Sequence, residues 1–123
     1  MKDEKKNAVV EQSFRFALRT VKLYEYLSGV KNEYVMSRQI LKSGTSIGAN
    51  IAEAQHAHSY NDFIFKMEIA LKETSETAYW LRLLCEAGYM TEPQYQSMSS
   101  DCVSLENLLC RIIKTSKENN RSD

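Results

Sequence analysis

Glu53-Ala-Gln-His56 has the Glu-x-x-His spacing that presents two metal ligands from one turn of helix. A di-iron bundle needs that motif twice, with one further glutamate from each of two other helices. The second histidine, His58, has Gln55 where the glutamate belongs, and His56 and His58 stand two apart, which turns them to different helix faces. The ligand set is incomplete, so no metal or other cofactor is expected. Cys85, Cys102 and Cys110 are an odd set without a CxxC pair or a neighbouring histidine, and they fall on apolar positions, where thiols are inert. They read as reduced core thiols rather than a disulfide framework. Glu68, Glu73 and Glu76 are close enough in sequence for acid/base work, yet Glu68 and Glu76 each stand four residues from Lys72, the spacing of surface ion pairs. No enzyme is expected.

Binding is the remaining chemistry. Arg15, Arg19 and Lys22 recur at i, i+4, i+7, and Arg38 and Lys42 repeat the i, i+4 step. Such rows suit a phosphate backbone. They also suit a solvated helix face, supported here by Glu11 four residues before Arg15 and Glu25 three after Lys22.

The elements that position these residues are organised around the stretch from Arg38 to His56. From Ser43 to Ala52 it carries no charge and mixes Ser, Gly, Thr and Asn with Ile and Ala. As helix, Gly44 and Gly48 each cost about 1 kcal/mol relative to Ala, so packing rather than propensity must hold it. Ile40, Gly44, Ile47, Ile51 and Ala54 share one face, which is expected to meet a core. Gly44, Gly48 and Ala52 form a row that admits a second backbone unusually close, flanked by the small polar Ser43, Ser46 and Asn50. A helix occupied on so many sides predicts self-association, with Gly44, Ile47, Gly48, Asn50, Ile51 and Ala52 as the packing and oligomer-interface candidates. A phosphate loop does not fit, because Gly44-x-x-x-Gly48 leads to Ala49 rather than to Lys-Ser/Thr and has no strand before it, and a membrane dimerisation helix is ruled out by Lys42, Asn50 and Glu53.

The rest of the chain predicts an all-α, antiparallel up-down-up-down four-helix bundle in a single domain over 1–123, with helices at about 9–28, 33–57, 61–87 and 92–116. The first has an apolar face of Phe14, Ala17, Leu18, Val21 and Tyr24, and Gly29 as its C-terminal cap. If it packs antiparallel on the second, the two basic rows can lie side by side. Ser59-Tyr-Asn-Asp62 opens the third helix, whose core positions run from Phe63 through Met67, Ala70, Thr74 and Leu81, with Gly88 as cap. Thr91 and Gln94 form a capping box for the fourth, whose apolar face is Tyr95, Met98, Cys102, Leu105, Leu109, Ile112 and Ile113. Residues 1–7 and the tail from Lys117 are polar and are expected to be flexible.

Sixteen basic residues balance sixteen acidic ones, which argues against an indiscriminate polyanion binder. The start Met-Lys-Asp-Glu-Lys-Lys has no apolar run after it, so the sequence predicts neither a signal peptide nor a membrane span and a cytoplasmic location.

The run Ser37-Arg-Gln-Ile-Leu-Lys-Ser-Gly-Thr-Ser-Ile-Gly-Ala-Asn-Ile-Ala-Glu-Ala54, then Asp62-Phe and Lys66-Met-Glu-Ile-Ala-Leu-Lys-Glu-Thr-Ser-Glu-Thr-Ala-Tyr-Trp-Leu81, resembles the four-helix bundle proteins encoded in the intervening sequences of bacterial 23S ribosomal RNA. The resemblance implies a left-handed antiparallel bundle, often a homopentamer, and no established reaction. The accessory proteins of diversity-generating retroelements look like relatives, and that similarity implies a basic surface for nucleic acid and a reverse transcriptase. By position, Arg15, Arg19, Arg38, Lys42 and Lys66 are then the candidates for a basic surface. The loop Ser59-Tyr-Asn-Asp62 departs from the family in lacking lysines. The resulting expectation is a non-enzymatic homo-oligomer that binds structured RNA or a ribonucleoprotein. The alternative is a protein-protein scaffold or accessory subunit without nucleic-acid contact.

Overall fold

A computed structural model describes residues 4–122, with side chains from 8 to 121. Four helices follow one another: α1 (Glu4–Gly29), α2 (Met36–Ala54), α3 (Tyr60–Glu86) and α4 (Glu92–Ser122). Short links make each helix run antiparallel to the one before it. α1 packs on α2, α2 on α3, α3 on α4, and α4 returns to α1 across the sparsest of the four seams. The result is the expected all-α antiparallel bundle.

Its centre is aliphatic. Ile40, Ile47 and Ile51 of α2 meet Met67, Leu81 and Leu84 of α3 and Leu105 and Leu109 of α4 in one cluster with Phe16 and Leu27 of α1. Each such side chain, fully buried, contributes roughly 1.5–3 kcal/mol from area alone. Polar groups between them are satisfied: the Thr77 hydroxyl donates to Ser43 Oγ at 2.9 Å across α2 and α3, and Cys102 Sγ donates to the Thr74 carbonyl at 3.4 Å.

Local signals set most of the helix ends. Ser59 Oγ accepts from the Asp62 amide at 3.1 Å, and Thr91 and Gln94 exchange bonds at 2.9 and 3.3 Å. Gly88, at φ 89°, ends α3, with the Gly88 and Tyr89 amides donating back to Cys85 and Leu84. Gly29 plays no such part: it is the last residue of α1, and the left-handed residue of that turn is Asn32, at φ 55°. α2 starts at Met36 rather than near 33, with Val35 at its N-cap position and Glu33 outside the helix, satisfying its first amides. The Glu33 carboxylate, nearly buried, accepts the amides of Val35, Met36 and Ser37 at 3.1, 3.0 and 2.7 Å. At the other end α2 stops at Ala54, and residues 55–57 form a turn of tighter bonds back to Ala52, Glu53 and Ala54.

Both chain ends differ from their expected boundaries. α1 begins at Glu4; the expectation of a flexible start otherwise falls on residues outside those described. α4 continues through the polar stretch after Lys117, where Lys117 pairs with Glu68 at 3.0 Å and Asn120 donates to Asn61 at 2.8 Å. Bonds to the start of α3 thus hold a segment whose composition reads as a free tail.

Candidate functional site: the outer face of α1 and its cations

The site begins with glycine. A Cβ on Gly44 would overlap the Thr20 methyl group, and one on Gly48 would lie 3.3 Å from the Ser13 carbonyl oxygen. α2 therefore meets α1 along Ser13 and Thr20, at Gly44 at a distance that leaves no room for a Cβ and at Gly48 at a distance that leaves little. Their hydroxyls are satisfied within α1, Ser13 on Val10 and Thr20 on Phe16 and Ala17, so small polar residues can sit at a buried contact. That contact fixes the rotation of α1. Val9, Ser13, Phe16, Thr20 and Leu27 turn inward.

The apolar face expected for α1 is consequently not the core face. Phe14, Leu18 and Val21 are 61%, 50% and 37% exposed, while Ala17 and Tyr24 are only half-buried. α1 has two apolar stripes, and a period of 3.6 residues fits either. The stripe interleaved with Ser13 and Thr20 won because its small residues match the glycines of α2. Phe14, Leu18 and Val21 are left as a ridge at i, i+4, i+7 with no helix of the chain over it.

The cations flank this ridge. Arg15 lies 3.8 Å from Glu11, and Lys22 is exposed without an ion-pair partner among the described residues. Arg19 turns to α4, where it donates to Asp101 Oδ2 at 2.6 Å and to Ser97 Oγ at 2.9 Å. Arg38 and Lys42 are exposed on α2, and Lys42 lies toward α3: it opposes the upward shift that burial and then Glu76 impose on the Glu73 carboxyl. Arg19 and Lys42 thus lean away from each other, toward α4 and α3. Lys66 binds Glu53 at 2.9 Å, and that hydrogen bond and charge push its pKa up.

Of the oligomer-interface candidates, Gly44, Ile47 and Ile51 are buried within the chain's own core and Gly48 packs at its edge. Asn50 donates to the Ser46 carbonyl at 2.9 Å, and Ala52 is exposed, as is Ala49, which the sequence reading omitted. The residues it misplaced are Phe14, Leu18 and Val21; the presence of a second apolar stripe in α1 was the available signal.

The residues with potential for chemistry stand apart from one another among the described residues. Among the described residues no group of three or more His, Cys, Asp or Glu could hold a metal ion. His56 is exposed in the turn after α2, off the helix that would have paired it with Glu53. Burial pushes the Cys102 thiol up to about 12, with Glu106 and Asp101 adding to it. Cys85 is also raised, by desolvation and by Glu92, whose carboxylate accepts from its sulfur at 3.4 Å. Neither is an activated nucleophile. No described helix is long and apolar enough to cross a membrane.

Comparison with known proteins agrees with the fold. No curated protein matches the chain. Among solved structures, a protein of unknown function from the S23 ribosomal protein family of Bacteroides thetaiotaomicron is 53% identical, with a TM-score of 0.89 over 89% of this chain and 98% of that one. The model of the 23S rRNA-intervening sequence protein family matches residues 5–111, which take in all of α2 and α3 and most of α1 and α4. By sequence and by fold, the chain belongs to the 23S rRNA-intervening sequence protein family.

Proposed function

We propose that the protein is a non-enzymatic subunit of a homo-oligomer whose assembled surface binds structured RNA or a ribonucleoprotein. The exposed ridge of Phe14, Leu18 and Val21 carries the reading. Three large apolar side chains in register on one helix are an unfavourable surface to leave in water, and a second copy relieves it. On neighbouring α2, Ala49 and Ala52 are also exposed. Assembly also answers the neutral charge balance. Lys22, Arg38 and Lys42 are few in one subunit, but repeated around an oligomer they form a multivalent phosphate surface, with affinity raised by counterion release. A pentamer is the assembly the family resemblance implies, and a relative grouped with ribosomal proteins is in keeping with an RNA partner.

Sedimentation velocity and polarisation of a labelled structured RNA at low and physiological salt test both halves. An oligomer that Phe14→Glu with Leu18→Glu breaks into smaller species, and RNA binding that weakens steeply with salt and is lost on reversing Lys22, Arg38 and Lys42, would support the reading. A monomer at micromolar concentration would sink the assembly.

The scaffold reading has its own support in the pairing of Arg15, Arg19 and Lys66 with Glu11, Asp101 and Glu53, which partly neutralises those cations. It becomes the leading one if the intact oligomer binds no RNA at low salt. A protein partner retained after nuclease treatment would then be expected in a pull-down.

A further inference from the structure

The seam between α1 and α4 leaves a cleft of about 370 Å³ on the flank where Arg19 reaches across. Its volume is at the small end of the ~300–1,000 Å³ range of small-molecule sites. Leu18, Leu23, Tyr26, Met90 and Met98 supply the apolar lining, and the two methionines make it adaptable. The polar lining is one-sided. Arg19, Lys22 and Gln94 contribute donors, and no carboxylate lines the cleft.

These donors are not equivalent. The Arg19 guanidinium is already balanced by Asp101. The Gln94 carbonyl accepts from the Thr91 amide, which leaves its NH₂ group as a donor. Lys22 has no ion-pair partner among the described residues; Lys31, outside the cleft lining, holds its Nζ 5.9 Å from the centre of the Tyr26 ring. The cleft therefore combines an apolar body with an unbalanced positive edge. A neutral apolar molecule would leave that edge unused, and a cation would be repelled by it.

We infer that this cleft is a binding site for a small carboxylate with an apolar body, its chain between Leu23, Met90 and Met98 and its carboxylate on Lys22 and Gln94. The cleft shares Lys22 with the proposed RNA surface and Leu18 with the ridge that a second copy is proposed to cover.

Calorimetric titration of the whole chain, in its own oligomeric state, with decanoate and with 1-decanol tests the inference. Decanoate is expected to bind at least about tenfold more tightly than the alcohol, the margin of one charge-assisted hydrogen bond. Lys22→Gln should remove that margin and leave the alcohol's affinity unchanged. Met98→Trp should abolish binding of both by filling the cleft, and thermal unfolding of this variant establishes that it is folded. Decanoate that fails to bind, because the cleft is shut or a second copy occupies it, would overturn the proposal. Equal affinity for acid and alcohol, an unaltered margin in Lys22→Gln, or undiminished binding in a folded Met98→Trp would do the same.

Discussion

α1 is held on two sides by opposite means. Against α2 the contact is made by missing side chains, Gly44 under Thr20 and Gly48 beside Ser13. Against α4 it is made by a long one, with Arg19 reaching Ser97 and Asp101 between an apolar cleft and a smaller polar one lined by Gln12, Arg15 and Ser104. The close seam fixes how α1 is rotated and so decides which of its apolar stripes faces outward. The open seam leaves room for a ligand. The shape of the α1 surface thus follows from how unevenly one helix is packed.

The contrast can be broken most severely at Gly44. Gly44→Leu should destabilise the fold by about 3 kcal/mol or more in urea unfolding, the upper range for overpacking. Gly44→Ala sharpens the point, because helix propensity alone would make it stabilising by about 1 kcal/mol. It should destabilise instead, and Thr20→Ser, which removes the methyl group in the way, should restore much of the loss. Failure of that rescue would mean that Thr20 does not set the spacing.

Gly48 should be more forgiving. Gly48→Leu is expected to cost about 1–3 kcal/mol and to alter the solution mass, whereas Gly48→Ala should be nearly neutral. Its Cβ would sit 3.3 Å from the Ser13 carbonyl oxygen, a crowding that a small shift relieves. An unchanged melting temperature in Gly48→Leu would place the residue in solvent.

Arg19→Ala tests the other seam and should cost less, about 0.2–1 kcal/mol, since its pair with Asp101 is partly exposed. A loss as large as that of Gly44→Leu would show that the bridge, rather than the glycines, positions α1.

The smallest effect at neutral pH belongs to Cys102. Its thiol is held at about 12 in the folded chain against a reference of 9.0, so folding favours the protonated form. The associated stability is fully present below about pH 9 and is lost as the pH rises towards 12. At pH 8 an alkylating reagent should therefore modify exposed Cys110 first and Cys102 only on unfolding. Equal rates for the two would show that the α4 core is open.

The sequence was most legible where the signals were local or one-sided. Ser59 with Asp62, Thr91 with Gln94, and Gly88 each announced a helix end from within a few residues. The α2 face of Ile40, Gly44, Ile47, Ile51 and Ala54 is buried throughout, because the opposite face carries charge and leaves no second choice. α1 offered two apolar faces, and the decision lay in a partner distant in sequence. Glu33 was opaque for another reason: a carboxylate that satisfies three amides has the same letter as one in solvent. The bonds of Lys117 and Asn120 depend on where α3 begins, which their own neighbours do not encode.

The open seam also bears on how the chain folds. Each of the other three seams joins helices adjacent in sequence, so it can close as a hairpin over a short loop. α1 and α4 are the pair that must meet across the length of the chain, with few contacts to reward the encounter. They are expected to dock last and to part first. Amides of α1 facing α4 should then exchange with solvent through an opening smaller than global unfolding, while the α2–α3 hairpin stays closed.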